Sequence, residues 1–408
     1  MHNIKFTYKQ NMKMKKEITF ILMLLYCGVS WGQTENNDKI DTFIDKYECD
    51  PIGTTVLRPD NLSPIDRTCT YVRIPFMEIT NKGSLLCGCD SRSSRSDQSL
   101  ISCGIARSTD NGSHWTYMIA NPHTAVSELD RRMDSSILCD RTNNQLFIFS
   151  HKITGSEVWE RINTDGKYSM DCVFVTSNDD GMTWSQERSL RDVITTNGVK
   201  GSYGKYVVTF FGGVGKGITM QNGTLVLPIQ CKMATETAQQ EGAAGIYNIQ
   251  SGLIYSTDHG NTWKRCSSLV PCYSSECQLI ELANGGIMIN CRSYIGHRRV
   301  FITYDLGKTW IAHASDRSLI EPTACEGSLG RLSLAKYAGG FVNPNDSTAR
   351  KNMTLQVTND FTNWRPLIRL SSITSEGYSA IAGYGGKNYA LIEQNNKIVL
   401  FDLNPYVR

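Results

Sequence analysis

An arginine fits poorly in an apolar strand, because its guanidinium stays charged and must meet an anion or water. Arg73 stands inside "YVRIPFM", residues 71–77, and so must face an anion or a buried carboxylate. The turn "NKGS" at 81–84 folds the chain back, and pairing symmetric about it sets Arg73 opposite Arg92 of "CDSRSSRSD". Two cations side by side repel, so that pairing requires an anion between them; otherwise Arg92 is a solvated side chain. In "SSECQLIELANGGIMINCRS", residues 274–293, Glu276 and Arg292 bracket an apolar hairpin turned by "ANGG". If they are directly opposed, Cys277 and Cys291 oppose each other one step inward, at the edge of disulfide reach, with two free buried thiols as the competing state. Further on, Arg350 lies in "STARKNMTL", Tyr378 in "SEGYSAI" and Glu393 in "ALIEQNN". Anion binding is the chemistry open to these arginines; the phenol and the carboxylates gain a role only in their company.

The elements that must position them are marked by a repeat. "RSTDNGSHW" at 107–115 returns as "TSNDDGMTW" at 176–184, "YSTDHGNTW" at 255–263 and "ITYDLGKTW" at 302–310, with a copy one residue short, "VTNDFTNW", at 357–364. Asp bonds backbone just downstream, Gly supplies a positive φ, and Trp buries a ring beneath the reversal, so each copy reads as a structural turn. The Asp residues at 110, 179, 258, 305 and 360 are 69, 79, 47 and 55 apart, which suits blades of four short strands. Between them run β-rich segments such as "GTLVLPI" and "GGIMINC", with no long helical period. An all-β propeller is predicted.

Residues 1–32 hold five Lys, one Glu and the apolar run "ITFILMLLYCGVSW", too short to span a bilayer and placed where a secretory signal belongs. The expected organisation is therefore a signal peptide at 1–32 and one catalytic domain at 33–408, secreted, periplasmic or at the cell surface, with no transmembrane segment once the signal is removed. Without the leader, 37 basic and 38 acidic side chains remain, and that balance implies no nucleic-acid partner. The seven His are dispersed, and "CGC" at 87–89 reads as a strand alternation, so no metal chemistry and no cofactor are expected.

Four good repeats together with Arg-Ile-Pro at 73–75 make a specific combination. The chain resembles the exo-sialidase (neuraminidase) family over roughly residues 60–400, which implies a six-bladed β-propeller with Asp-boxes of the form Ser-x-Asp-x-Gly-x-Thr-Trp. By that resemblance Arg73, Arg292 and Arg350 form a triad for the substrate carboxylate, with Glu393 orienting the first of them. Asp97 in "SRSDQS" matches the acid/base aspartate and Arg92 the arginine before its loop, with Arg95 a competitor for that place. Asp134 in "RMDSS" matches a sugar-contacting Asp, although Ser-Ser follows it here instead of the family's Pro-Thr. Tyr378 matches the nucleophile and Glu276 its base. A phenol suits an anomeric carbon that bears a carboxylate, since a charged carboxylate nucleophile would be repelled.

The resemblance implies a retaining exo-α-sialidase acting on glycoproteins, glycolipids and oligosaccharides, as a monomer. A trans-sialidase and a non-catalytic sialic-acid-binding lectin are the alternatives. The loop "TGSEVWERINTDGKYS" at 154–169, with Trp159, is a candidate rim for the rest of the glycan.

Overall fold

The structure, a computed structural model, describes residues 50–408 apart from 125–129, 155–169, 195–206, 213, 234–248 and 323. The leader at 1–32 and the candidate rim with Trp159 lie outside the described residues.

Each repeat builds the turn its residue types demand. In the first, the Ser108 hydroxyl accepts the Gly112 N–H at 2.9 Å and the Asp110 carboxylate accepts the His114 N–H at 2.9 Å. Asn111 and Gly112 are both left-handed, at φ 61° and 87°. The copies at Asp179, Asp258 and Asp305 repeat these bonds. In the short copy the left-handed place falls to Phe361, φ 58°, while Asp360 takes the Asn363 N–H at 2.8 Å. The tryptophans are less uniform than expected. Trp263 is buried edge-on against Phe147 and Phe149 at 5.9 and 5.2 Å, whereas Trp115, Trp184, Trp310 and Trp364 are only half-buried. The glycines reach further: a methyl added at Gly260 would meet the Phe147 ring at 2.5 Å, and one at Gly307 would meet Cys266 Cβ at 2.5 Å. The turns at Gly260 and Gly307 therefore seat against residues that precede them in the chain.

The strands assemble as an all-β propeller arrangement of antiparallel sheets. The first described strand, Thr54–Leu57, pairs with Ile398–Asp402, which continues into Lys387–Glu393 and Ser379–Tyr384, so the two ends of the described chain close one sheet. Cys277–Glu281, Ile287–Cys291, Arg299–Thr303 and Ile311–Ala312 form a second four-stranded sheet, and Ser328–Arg331, Gly339–Pro344, Met353–Thr358 and Arg365–Ser371 a third. A five-stranded sheet is built around Leu225–Met233 and Ile249–Ser256.

The remaining sheet departs from the expected six separate blades, because it holds nine strands. Its first half runs from Tyr71–Ile79 through Leu85–Arg92 to Ile101–Ser108, its second from Asp130–Cys139 through Leu146–Thr154 to Met170–Ser177. A single parallel pair, Ile101 with Arg131, joins the halves. Among the described residues helix is confined to single turns, Pro59–Leu62, Arg191–Ile194 and Asn404–Val407, in keeping with the missing helical period. None of them is long and apolar enough to cross a membrane.

Alternation of strand direction decides where side chains can meet. Arg73 and Asp134 sit in the first halves of Tyr71–Ile79 and Asp130–Cys139, and Glu276 and Tyr378 immediately precede Cys277–Glu281 and Ser379–Tyr384. Asp97, Arg292 and Arg350 lie in connections that return to the same end. The repeats occupy turns one strand further on, and so fall at the opposite end. Packing between the sheets is apolar, with Phe147, Phe149, Phe174, Leu227 and Leu253 in one cluster; each such side chain contributes about 1.5–3 kcal/mol on burial.

Candidate active site

The strand ends open into a cavity of ≈ 250 Å³ lined by Arg73, Asp97, Asp134, Glu276, Arg292, Arg350 and Tyr378. Arg92 and Glu393 stand behind this lining and are buried. All nine candidate residues are thus brought to one place, although they are scattered over more than 300 positions of the sequence. Arg131, Met133, His151, Ile153, Gln230 and Tyr294 contribute further to the wall. Those six were missed because nothing in their local sequence distinguishes them from ordinary strand residues.

The first arginine is aimed by a break in its own strand. Ile79 pairs with Leu85 and Phe76 with Gly88, but beyond a register shift Arg73 pairs with Asp90 and Tyr71 with Arg92. The expected opposition of Arg73 to Arg92 is therefore wrong by two residues. Two causes act together. The turn is centred on Lys82, where the Thr80 N–H meets the Ser84 carbonyl at 2.9 Å, and Pro75 has no N–H to offer the ladder. Ile74 beside it is left-handed, φ 56°, and gives its N–H to Glu393 Oε1 at 2.7 Å. A bulge of this kind re-aims the neighbouring side chain. The carboxylate that meets Arg73 is Glu393, 3.3 Å from its Nε, and the anion beside Arg92 is Asp90, which its local sequence does not single out.

Asp90 organises the acidic side of the cavity. It accepts Arg92 Nη2 at 2.7 Å and the Asp134 N–H at 3.1 Å, while Arg92 Nη1 donates to Asp97 at 2.6 Å. Arg92, fully buried, holds Asp97; Arg95 is exposed and bonds elsewhere, to Glu376. Asp134 is left-handed, φ 52°, an uncommon conformation that the local bonds must enforce.

Opposite stands the phenol. Tyr378 donates its hydroxyl proton to Glu276 Oε1 at 2.5 Å, and Arg292 Nη1 donates to both Glu276 Oε2 at 2.5 Å and the phenol oxygen at 2.9 Å. The hairpin register accounts for this: Cys277 pairs with Cys291 as expected, and the Arg292 N–H meets the Glu276 carbonyl at 2.8 Å one step beyond. Glu393 fixes the other side of the phenol by accepting the Tyr378 N–H at 3.1 Å and lying 3.3 Å from Arg73 Nε. Arg350 is held by the carbonyls of Glu376 and Ala324 at 2.8 and 3.0 Å. The guanidinium carbons of Arg73 and Arg350 lie 5.0 and 5.6 Å from the centre of the Tyr378 ring.

Two features set the chemistry of the cavity. Arg73 Nη2 and Arg292 Nε are buried donors without a hydrogen-bond acceptor, and Arg73 Nε has the Glu393 carboxylate at 3.3 Å as an ion-pair neighbour outside hydrogen-bond geometry. An unmet buried donor costs about 1–3 kcal/mol, and a bound carboxylate would remove that cost. The second feature is protonation. Burial, then the Glu276 charge, raises the Tyr378 phenol well above its ordinary range against the pull of the three arginines, so the resting hydroxyl keeps its proton. Burial, then Asp90, Asp97 and Glu276, likewise raises Asp134 well above the carboxylate range. Among the described residues no three His, Cys, Asp or Glu are grouped to hold a metal ion.

Comparison with known proteins bears on the family and the fold. Residues 79–343 match the BNR repeat-like domain. The sialidase of Paraclostridium sordellii is 27% identical over 98% of this chain and 97% of its own. The sialidase of Bacteroides fragilis is 31% identical over 76% of this chain and 57% of its own, so this chain spans a little over half of that relative. Among solved structures, the Hadza microbial sialidase Hz136 superposes with a TM-score of 0.72 at 25% identity, over 87% of this chain and 69% of that one. With its repeats, its clustered arginines and its phenol–carboxylate pair, the chain belongs to the BNR-repeat sialidase family and is a glycoside hydrolase of the exo-sialidase type.

Proposed function

We propose that the protein is a retaining exo-α-sialidase in which Tyr378 is the nucleophile, Glu276 its base and Asp97 the acid/base. The observation that carries this reading is the short bond from the Tyr378 hydroxyl to Glu276, with Arg292 on both oxygens. As the phenol oxygen attacks the anomeric carbon, its proton passes to Glu276, and Asp97 protonates the departing glycosidic oxygen. In the second half Asp97 takes a proton from water, which attacks the same carbon, and Tyr378 recovers its proton from Glu276. Two inversions leave the configuration retained. Arg73, Arg292 and Arg350 clamp the sialic acid carboxylate, Arg73 and Arg292 with buried donors that have no hydrogen-bond acceptor, and Glu393 orients Arg73. Arg92 fixes Asp97, and Asp134 makes a hydrogen bond to a sugar hydroxyl.

Terminal sialic acids of glycoproteins, glycolipids and oligosaccharides are the substrates in this reading. The test is product analysis by NMR with sialyl-lactose. Release of the α-anomer first supports retention, and release of the β-anomer first overturns it. Added labelled lactose that becomes sialylated would replace hydrolysis by transfer, the trans-sialidase reading.

We also read the nine-stranded sheet as two blades bridged at the Ile101–Arg131 pair, which brings the propeller to six. Residues 1–32 are read as a leader removed on export, leaving a secreted, periplasmic or surface-held monomer. N-terminal sequencing of the exported protein tests the cleavage.

A further inference from the structure

Glu376, two residues before the phenol, has no part in the reading above, and neither has Arg95. The two make a two-pronged ion pair: Arg95 Nε donates to Glu376 Oε1 at 2.7 Å and Arg95 Nη2 to Oε2 at 3.0 Å. Tyr71, on the strand that carries Arg73, adds its hydroxyl to Oε1 at 3.3 Å. The backbone carbonyl of the same Glu376 holds Arg350 at 2.8 Å. One residue thus touches the strand of the first arginine, the side chain of the third, and the loop that carries Asp97, and it is linked by two peptide bonds to Tyr378.

The loop needs an outside tie. Residues 93–100 close on themselves through Ser93 and Leu100, whose backbones bond at 3.0 Å, and through the Ser96 and Ser99 hydroxyls. These bonds set the loop's shape without setting its distance from the phenol. Asp97 is half exposed, at 54% of its side-chain surface, so packing alone does not fix it. Arg92 grips its carboxylate from below and Arg131 Nη1 its carbonyl at 3.1 Å, both from the acidic side of the cavity. Arg95 to Glu376 spans from the loop to the segment that carries the nucleophile.

We infer that the Arg95–Glu376 pair is a positioning latch that sets the distance between the acid on its loop and the nucleophile on its segment. It acts through Asp97 and Tyr378 and does not itself touch the reacting atoms. An exposed single ion pair contributes little to stability, which separates this role from a folding role. A proton donor held loosely is costly only when the leaving group needs the proton. The inference rests on the assignment of Asp97 as acid.

The experiment measures kcat/KM on sialyl-lactose, a poor leaving group, and on a nitrophenyl sialoside, a good one, for Arg95→Ala, Glu376→Gln, the double variant and Asp97→Ala, with melting temperatures. Expected is a loss of about tenfold on sialyl-lactose for each single latch variant, a much smaller loss on the nitrophenyl substrate, no further loss in the double variant, and unchanged melting. Arg95→Lys should recover part of the loss by restoring one prong. Equal losses on both substrates, additive losses in the double variant, or no loss at all would overturn the latch while a leaving-group dependence in Asp97→Ala keeps the acid assignment. If Asp97→Ala itself loses equally on both substrates, the acid assignment falls and the latch with it.

Discussion

The two ends of the propeller use the same residue types to opposite effect. In the repeats, each Asp accepts a backbone N–H four residues on, or three in the short copy, and each adds a bond with a Thr, Asn or His side chain, so that the charge is met within nine residues. Bonds from Thr183 and Thr262 hold the Asp179 and Asp258 carboxyls down to about 2. Around the cavity, burial drives Asp90 up to about 6 and raises Asp134 well above the ordinary carboxylate range, while arginine donors are left without acceptors. A polar group that satisfies itself locally makes a rivet, and one satisfied only across the molecule, and then incompletely, makes a receptor. The strained backbone follows the same division: left-handed turns recur as a periodic set in the repeats, whereas Ile74 and Asp134 are isolated in strands beside the ligand cavity.

The sharpest way to break this contrast is to remove one oxygen from the cavity. Tyr378→Phe is expected to lower kcat by at least about a thousandfold while leaving sialic acid binding within a few-fold, since the carboxylate clamp does not depend on the hydroxyl. Calorimetric titration beside a fluorogenic assay measures both, and residual turnover above a few per cent would remove Tyr378 from the nucleophile's place. Next in size, Arg292→Lys or Arg350→Lys should raise KM about 10- to 100-fold, because an ammonium cannot present the planar fork. An unchanged KM would take that arginine out of the clamp.

At the other end the expected signs reverse. Asp258→Ala should lower the melting temperature by roughly 2–4 °C with kcat of the folded protein unchanged, since its bonds all close within its own turn. A stable but inactive variant would erase the distinction between rivet and receptor. The repeats also carry a pH signature. Their Asp carboxyls titrate lower in the folded state than the unfolded value of about 3.9, so their contribution is complete above about pH 4 and is lost as pH falls toward 2. Thermal melts across that window should show wild-type stability declining, with a shallower decline in Asp258→Asn.

What the sequence disclosed divides along the same line. Rivets were legible because every bond in them is local and each is written several times over. The hairpin of Glu276 and Arg292 was legible for a related reason: "ANGG" fixes the turn, no Pro interrupts the ladder, and the opposition of Cys277 and Cys291 follows by counting. Counting failed at Arg73, where a turn centred on Lys82 and a bulge at Ile74–Pro75 moved the register by two. Asp90 was overlooked inside "CGCDSR" although an acid in a buried strand carries the same message as Arg73 does. The nine-stranded sheet is continuous through one pair, Ile101 with Arg131, that no local pattern announces. Contacts between distant segments, such as Glu376 with Arg95, have no sequence signal at all.

The smallest expected effect concerns the thiols next to Glu276 and Arg292 in their hairpin. Cys277 and Cys291 are directly opposed, fully buried and unbonded, and Cys277 Sγ donates to the Ile229 carbonyl at 3.4 Å. Burial, then the neighbouring Cys277, raises the Cys291 thiol well above its ordinary range, so the thiolate that oxidation requires is scarce. Opposed residues in a ladder also sit at the upper edge of disulfide reach, and closing the bond would pull the two strands that aim Glu276 and Arg292. A bond across that hairpin would contribute about 3 kcal/mol, enough to move the melting temperature by several degrees. Both thiols are therefore expected to be alkylated in peptide maps of the unfolded, unreduced protein, and added reductant should shift melting by less than about 1 °C and leave KM untouched. A mapped 277–291 bridge would overturn this expectation and make the hairpin, so far the best-read part of the receptor, a cross-linked element like the rivets at the other end.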